Sequence, residues 1–187
     1  MINDVLDLSK IEAGKMELNE TYIDISQEYL DTKNRFVSAI NTQSNPHIEI
    51  NTNANMPMLF ADNQAISQIL DNLITNAIKY AGSDAVITLG WSLNNIGNGV
   101  LCVSDTGTGI PAMQLEKIKI PFVQGNKIAN SDASTKQDGM GVGLGLSIVT
   151  KLSDIHGANF VIESTEGEGT SCKIIFDAKR LKFPEIL

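Results

Sequence analysis

Residues 101–109 read LCVSDTGTG, an apolar strand-like run that ends at Asp105 and passes into a turn containing Gly107 and Gly109. An ionised aspartate only accepts hydrogen bonds. Asp105 can therefore accept a hydrogen bond from the exocyclic amine of adenine, whereas guanine presents an acceptor oxygen at that position. The two glycines predict that the backbone passes close to the purine ring, where a Cβ would clash. Taken alone, the stretch is more typical of a simple tight turn, because Asp-x-Gly is a common turn signal.

A second glycine-rich stretch, residues 141–146, reads GVGLGL and precedes an apolar helix. Glycines at a helix N-terminus expose backbone N–H groups and turn the positive end of the helix dipole toward phosphate. The stretch is not a Walker A loop, which ends in Gly-Lys-Ser/Thr, and Leu146 replaces the last glycine of the dinucleotide-binding GxGxxG pattern. A third pair, Gly167 and Gly169 followed by Thr170, is equally typical of an ordinary hairpin loop.

A strongly periodic helix is predicted upstream, from its N-cap Asp62 to about Ala81. The predicted apolar stripe of this helix consists of Ile66, Leu70, Leu73, Ile74 and Ala77. Its predicted solvent side consists of Gln64, Asp71 and Thr75. The flank between these two faces carries Asn72, Asn76, Lys79 and Tyr80. Mg²⁺ prefers oxygen ligands and keeps waters and substrate phosphates, so the amide of Asn76 suits a magnesium–triphosphate. Lys79 offers a mobile cation for the same phosphates. Either asparagine alone would be interpreted as a solvated polar residue, and only the combination with the glycine stretches predicts a nucleotide site.

The composition restricts the classes of function that the chain can have. Its 187 residues fit one domain, and the formal net charge of −8 disfavours binding to nucleic acid or to an anionic membrane surface. Cys102 and Cys172 lie in apolar strand-like runs and are predicted to be buried reduced thiols, which indicates a cytoplasmic setting. The sequence contains no apolar run of the ~20 residues that a membrane span needs.

The remaining pattern predicts an α+β fold: a two-layer α/β sandwich with a mixed, mostly antiparallel sheet covered on one face by helices. Helices are predicted over 24–41, 62–81, 111–118 and 143–156, and strands over 22–23, 47–51, 85–93, 100–104, 159–164 and 170–176. The predicted buried stripe of the first of these helices consists of Tyr29, Leu30, Phe36, Val37, Ala39 and Ile40. Residues 124–140 are polar and lack apolar periodicity, which predicts a functional lid or a disordered loop.

The order of asparagine helix, DTGTG, polar lid, GVGLGL and GEGT resembles the catalytic ATP-binding domain of sensor histidine kinases. That family has the Bergerat-type fold, which also occurs in gyrase, some chaperones and mismatch-repair ATPases. The opening MINDVLDLSKIEAGKMEL resembles the end of the second dimerisation helix of these kinases, especially hybrid ones. The resemblance implies a division into residues 1–14, the C-terminal end of a dimerisation and phosphoacceptor helix, and residues 15–187, a catalytic ATP-binding domain with its lid at 124–140.

The resemblance also implies a set of site residues. Mg²⁺ would be held by Asn76, and ATP by Asn72, Asn76, Lys79, Tyr80, Asp105, Gly107, Gly109, Ile110, Phe122, Gly141, Val142, Gly143, Leu144, Gly145, Leu146 and Thr170. Three departures from the family pattern stand out. Lys119 replaces the first aromatic residue of the Phe-x-Pro-Phe box, Ala158 replaces a common glycine, and the chain carries no phosphoacceptor motif. Its two histidines, His47 in a predicted strand and His156 near a helix end, are expected to be structural, with His156 complementing the helix dipole.

The implied activity is ATP-dependent autophosphorylation in a two-component phosphorelay, with the ATP γ-phosphate delivered to a histidine on a dimerisation helix outside this chain. Hydrolytic relatives place a water-activating glutamate where Asn72 stands, and an amide cannot take a proton at neutral pH. The implied partners are the dimerisation and phosphoacceptor domain of the same protein, which would make the parent a homodimer, and a response regulator or receiver domain. A parent anchored in a membrane would still hold this part in the cytoplasm. Two alternatives stay open: a catalytically degenerate module that senses ATP or docks a partner, and a serine kinase of the same fold.

Overall fold

The computed structural model describes residues 8–11, 13–39, 47–53, 55–82, 84–115, 118 and 143–184. The described residues form eight strands, β1 to β8 in chain order: Glu20–Ile23, His47–Thr52, Met58–Asp62, Val86–Leu93, Gly99–Asp105, Asn159–Thr165, Gly169–Phe176 and Leu181–Lys182. Besides the helical residues 8–11, they form four α-helices, α1 to α4: Ile25–Ala39, Asn63–Tyr80, Ala112–Leu115 and Gly145–Ile155. A short 3₁₀ helix, Ala178–Arg180, precedes β8.

The strands are arranged in two sheets. The larger sheet has the order β2-β4-β5-β7-β6, in which β2 and β4 run parallel and every other neighbouring pair is antiparallel. The smaller sheet has the order β1-β3-β8 and is antiparallel throughout. The mixed, mostly antiparallel sheet predicted from the sequence is therefore confirmed.

The core lies between the larger sheet and the helices. Alternate residues of β4 and β5, among them Leu89, Trp91 and Leu101, are fully or almost fully buried, while their chain neighbours are half-buried or exposed. Helix α2 packs against α4 and against β4 and β5, and α1 packs against β2, β4 and α2. This one-sided burial is the two-layer sandwich that the sequence predicts.

Helix α2 agrees closely with its prediction. Asp62 has an extended backbone and its Oδ1 accepts a hydrogen bond from Ala65 N at 3.0 Å, which caps the helix N-terminus. The helix ends at Tyr80, with Ala81 as its C-cap. Its buried residues are Ala65, Ile66, Ile69, Leu70, Leu73, Ile74 and Ala77, which include the whole predicted stripe. None of the described helices is both long enough and apolar enough to cross a membrane.

The predicted stripe of α1 is wrong at two of the positions whose side chains the structure describes, which exclude Ala39 and Ile40. Leu30 is 45% exposed and Val37 is 60% exposed, whereas Tyr29 is fully buried and donates a hydrogen bond to Gly90 O at 2.7 Å. Glu28 and Thr32 are buried on the inward face instead. These polar residues can be buried because Arg35 bonds Thr32 at 3.0 Å and lies 3.8 Å from the Glu28 carboxylate.

Two further predictions need correction. Cys172 is buried, but Cys102 is only half-buried because it lies on the opposite face of its strand from Val103; neither cysteine forms a disulfide. His156 does not complement the dipole of α4 as a cation. Burial lowers the pKa of its imidazole, Nε2 accepts a hydrogen bond from Asp62 N at 3.2 Å, and Nδ1 lies 2.7 Å from Leu152 O, so the neutral ring joins the end of α4 to the start of α2.

The proposed division at residue 14 remains a prediction. Residues 8–11 are helical, and the side chains of Leu8 and Ile11 are buried in the same core cluster as the sheet residues. Residues 1–7 and residue 12 lie outside the described part, as do residues 124–140, where a lid is predicted.

Candidate functional site

A cavity of about 530 Å³ opens between α2, the end of β5 and the N-terminus of α4. Ten of the residues singled out from the sequence line it: Asn76, Lys79, Tyr80, Asp105, Gly109, Ile110, Gly143, Gly145, Leu146 and Thr170. The chain therefore brings three segments that are far apart in sequence to one place. The volume lies within the ~300–1,000 Å³ typical of small-molecule sites.

Three predicted site residues that the structure describes do not line this cavity, and three others lie outside the described residues. Phe122, Gly141 and Val142 lie outside the described residues, together with Lys119 and the rest of the altered phenylalanine box. Leu144 is buried at 4% exposure and serves as the N-cap of α4, and Gly107 is buried within the turn, next to Ala81. Asn72 is half-buried, and its Nδ2 donates a hydrogen bond to Gln68 O at 2.8 Å.

Asp105 ends β5 at one side of the cavity. Its Oδ1 accepts a hydrogen bond from Gly107 N at 2.9 Å. Partial burial raises the pKa of the Asp105 carboxyl above its ordinary value, and hydrogen bonds from the backbone N–H groups of Gly107 and Thr170 oppose that rise. Those N–H groups favour the charged form, which is the form that only accepts hydrogen bonds.

The turn after Asp105 is packed tightly by the protein itself. A Cβ on Gly107 would lie 2.2 Å from Ala81 Cα, and one on Gly109 would lie 2.0 Å from Thr165 O. Gly109 also has φ +66°, a left-handed conformation that favours glycine. The prediction had assigned these glycines to the approach of a purine ring, but contacts within the fold already require them.

Thr108 fixes the same turn from both sides. Its hydroxyl donates a hydrogen bond to Tyr80 O at 3.3 Å, and its backbone oxygen accepts one from Gly167 N at 2.8 Å. Ile110 N donates to Ser164 Oγ at 2.8 Å. The turn is thereby connected to the end of α2, to β6 and to the β6–β7 loop, which holds Asp105 in a defined position relative to Asn76.

The N-terminus of α4 also borders the cavity. Gly143, Gly145 and Leu146 line it, and Leu144 provides no side-chain hydrogen bond to cap the helix. The first-turn N–H groups of a helix have no partner within the helix and carry its positive dipole end. This end of the cavity can therefore bind an anion such as a phosphate.

Five apolar residues also line the cavity, and we call them its apolar floor; the sequence interpretation did not assign them to the site. The floor consists of Leu73, Ala77, Val103, Ile162 and Cys172. Val103 and Cys172 are direct cross-strand partners in β5 and β7, so the alternation of these strands could have placed them on the same face as the core. The rim residues Thr108, Pro111, Gln114, Ile118 and Glu166 were also missed, and nothing in the local sequence distinguishes them.

The donor set fits a nucleotide–magnesium complex. Within the described residues, no group of three or more histidine, cysteine, aspartate or glutamate side chains could hold a metal ion by itself. Asn76 lines the cavity, and a side chain with one amide oxygen suits a magnesium ion that keeps waters and substrate phosphates as its other ligands.

Comparison with known proteins agrees with this geometry. Residues 61–180 match the family described as histidine kinase-, DNA gyrase B- and HSP90-like ATPase. The chain is 30% identical over 188 residues to the cell-division control histidine kinase PdhS of Brucella canis, covering 97% of this chain and 18% of that protein. It thus spans about a fifth of the length of this relative.

Two solved structures show the same fold. Full-length ShkA in complex with AMPPNP superposes with a TM-score of 0.80 at 24% identity, covering 99% of this chain and 36% of ShkA. The nucleotide-free catalytic domain of histidine kinase ThkA gives a TM-score of 0.67 at 25% identity, covering 86% of this chain and 95% of that domain. The chain therefore belongs to the histidine kinase-, DNA gyrase B- and HSP90-like ATPase family, as an ATP-binding catalytic domain of the histidine kinase type.

Proposed function

We propose that this domain binds Mg·ATP in the 530 Å³ cavity and delivers the γ-phosphate to a histidine on a dimerisation helix of the same protein. The observation that carries the proposal is the placement of Asp105, Asn76 and the N-terminus of α4 around one cavity. A base-recognising acid, a metal-binding amide and a phosphate-binding helix end are the three elements that such a complex requires.

At the proposed adenine end, the Asp105 carboxylate accepts the exocyclic amine of the purine. The apolar floor, including Val103, Ile162 and Cys172, contacts the flat faces of the ring. A buried hydrogen bond to a charged group is worth ~1.5–3 kcal/mol, which is enough to select adenine over guanine. Gly109, Ile110 and Thr170 line the same end and keep the base beside the carboxylate.

At the proposed phosphate end, Asn76 supplies an amide oxygen to Mg²⁺, which when bound neutralises charge on the phosphates. Lys79 is exposed at the cavity and supplies a mobile cation, and the N–H groups of Gly145 and Leu146 are placed to donate to phosphate oxygens. Tyr80, which is 57% exposed, also lines the cavity, and its backbone oxygen contacts the turn after Asp105. Roles for Phe122, Gly141, Val142 and Leu144 rest on the sequence resemblance.

The side chains near Asn76 favour phosphoryl transfer over hydrolysis. Position 72 is an amide, which cannot act as a general base. The neighbouring carboxylate, Asp71, is engaged by Arg35 of α1 at 3.0 Å. His156 is fully buried with both ring nitrogens bonded, so it is unsuited to accept phosphate, and the acceptor is proposed to lie on the dimerisation helix.

The experiment uses a longer polypeptide in which this chain follows a histidine-bearing dimerisation helix, incubated with γ-labelled ATP and Mg²⁺. We expect label in acid-labile phosphohistidine on the helix, and no label when that histidine is replaced by glutamine. An unlabelled helix in a polypeptide that still binds Mg·ATP would contradict the transfer and favour a non-catalytic binding module. With transfer shown, a response regulator or receiver domain is the proposed next acceptor of the phosphate.

A further inference from the structure

The hydroxyl of Ser164, the penultimate residue of β6, joins three segments at one corner of the cavity. It accepts a hydrogen bond from Ile110 N at 2.8 Å and donates one to Gly169 O at 2.8 Å. It also lies 3.0 Å from Thr170 Oγ1. Ile110 and Thr170 line the cavity, whereas the half-buried Ser164 does not. Ser164 is therefore placed to act on a ligand through these neighbours and not by direct contact.

The directions of these hydrogen bonds follow from the protons available. A serine hydroxyl has one proton to donate and two lone pairs with which to accept. A carbonyl oxygen only accepts, so the proton of Ser164 goes to Gly169 O. The contact between Ser164 and Thr170 then uses the proton of the threonine hydroxyl. With its proton directed at Ser164, the hydroxyl oxygen of Thr170 can only accept a hydrogen bond from a ligand.

Thr170 lies directly beside the acid at the proposed base end. Asp105 of β5 and Thr170 of β7 are cross-strand partners, and both line the cavity. The backbone N–H of Thr170 bonds the Asp105 carboxylate. The two strands approach so closely that a Cβ on Gly169 would lie 2.0 Å from Asp105 O. This corner of the cavity therefore carries two side chains, a carboxylate and an oriented hydroxyl, that accept hydrogen bonds and do not donate them.

We infer that Ser164 is a positioning residue for the choice of base. By accepting the proton of Thr170, it makes that hydroxyl a second acceptor beside the Asp105 carboxylate. The exocyclic amine of adenine has two protons to donate, whereas the oxygen that guanine presents there has none. Ser164 also bonds Ile110 N and so ties the turn after Asp105 to β6. The inference rests on the proposed binding of ATP in this cavity.

The test compares Ser164→Ala with the wild type in calorimetric titrations with non-hydrolysable ATP and GTP analogues and Mg²⁺. Without the serine, the Thr170 hydroxyl is free to rotate and to donate to the guanine oxygen. We expect ATP binding to weaken by about three- to tenfold, the range for one neutral hydrogen bond, while GTP binding stays unchanged or becomes stronger. A merely structural role would weaken the binding of both analogues together.

Two further variants serve as controls for Ser164→Ala. Ser171 follows Thr170 on β7, is half-buried, and its hydroxyl lies 3.4 Å from Cys102 Sγ without lining the cavity. Ser171→Ala removes a hydroxyl from the same pair of strands and should leave the ratio of ATP to GTP affinity within about twofold of the wild type. Ser164→Thr keeps the hydroxyl and should restore the wild-type ratio.

Thr170→Val tests the hydroxyl that Ser164 is inferred to direct. The variant keeps the shape of the side chain and removes the second acceptor, so the ratio of ATP to GTP affinity should fall as in Ser164→Ala. Adding Ser164→Ala to Thr170→Val should lower the ratio no further, because the two residues act through one contact. If Ser164→Ala fails to fold, Thr170→Val decides alone, and an unchanged ratio in this variant would overturn the inference.

The inference and the proposed function fail in different ways. A wild type that prefers ATP, with the same preference in Ser164→Ala, would overturn the inference and leave the proposed function in place. A folded wild type that binds neither analogue would reject the proposed function. Hydrogen exchange of the Ile110 amide, measured by NMR without nucleotide, tests the Ser164 contact in either case. The amide should exchange faster in Ser164→Ala than in the wild type, and equal rates would contradict the hydrogen bond on which the inference rests.

Discussion

At the scale of single residues, Asp105 carries the proposed choice of base. Asp105→Asn keeps the size of the side chain and an oxygen that can accept the Gly107 N–H, but it removes the charge from the proposed purine contact. The loss of a charged hydrogen bond predicts about 10- to 150-fold weaker ATP binding with little change in the melting temperature. Calorimetric titration of the variant with an ATP analogue measures this loss.

Glu168→Gln is the matched control for Asp105→Asn. Glu168 is an exposed acid on the β6–β7 loop and does not line the cavity. Removing its charge should change ATP affinity by less than about threefold, because an exposed charge at a distance is screened by salt. ATP affinity of Asp105→Asn within the same narrow range would remove Asp105 from the proposed base contact.

Replacing Gly109 by alanine is expected to lower the stability of the fold strongly, although it adds only one methyl group. Gly109→Ala places a Cβ 2.0 Å from Thr165 O in a left-handed backbone conformation. We expect the free energy of unfolding to fall by about 2–5 kcal/mol, from backbone strain and overpacking together. Gly157→Ala is the control, because Gly157 has φ +63° with nothing within 4 Å, so only the strain of about 1–2 kcal/mol applies. Equal costs in chemical denaturation would show that the contact with Thr165 does not hold the turn.

At the scale of elements, His156 joins α4 to α2 and makes their packing sensitive to pH. Burial lowers the pKa of this histidine from its ordinary value of 6.5. The negative charges of Glu20 and Asp62 raise the pKa, but by less than burial lowers it. The unfolded chain therefore binds a proton more readily than the folded one below about pH 6.5. Stability is fully present above that pH and falls as the pH is lowered, by no more than about 1.4 kcal/mol per pH unit for one proton.

The pH dependence is measured as the free energy of unfolding at pH 7.5 and 5.5 for the wild type and for His156→Gln. The wild type should lose stability over this interval, and the variant should lose less, because its amide does not titrate. Comparison with the variant cancels the carboxylates, including Asp105, whose raised pKa acts in the opposite direction. Parallel pH profiles for the two proteins would mean that His156 does not contribute.

The helices also show how far local sequence determines structure. Helix α2 was predicted from Asp62 to about Ala81 because its caps and its apolar period agree, and both are local properties. The buried face of α1 was not predicted correctly, since Glu28 and Thr32 are buried there together with a hydrogen bond from Arg35 to Thr32. Arg35 in turn bonds Ser67 and Asp71 of α2. That network exists only once the two helices pack, so an apolar count along α1 could not find it.

At the scale of the whole molecule, the order of the elements was predictable but some of their pairings were not. Adjacent antiparallel pairs, such as β4–β5 and β6–β7, follow from the turns that join them. The parallel pair β2–β4 and the small sheet β1-β3-β8 join strands distant in sequence. Arg180 of the 3₁₀ helix donates hydrogen bonds to Glu20 and to Phe60 O of the small sheet, which lie 160 and 120 residues earlier, and no local pattern indicates these contacts.

The candidate site, like the fold, was predictable from the sequence only in part. Its polar residues Asn76, Lys79 and Asp105 were predicted because their chemistry is unusual at their positions, and the structure brings them to one cavity. The apolar floor was missed because Val103 and Cys172 resemble any other core residues. The sequence also did not indicate that Asn76 lines the cavity and Asn72 does not, since both lie on the same flank of α2.

The central claim is that one cavity holds adenine at Asp105 and magnesium-bound phosphate at Asn76. Calorimetric titration of the chain with non-hydrolysable ATP and GTP analogues, each with and without Mg²⁺, tests it most directly, and Asn76→Ala is titrated in parallel. The account predicts that ATP binds at least about tenfold more tightly than GTP, the ratio expected for one charged hydrogen bond. It also predicts that Mg²⁺ strengthens ATP binding to the wild type and much less to Asn76→Ala. Equal affinity for the two purines, or no binding by a folded chain at any Mg²⁺ concentration, would contradict it.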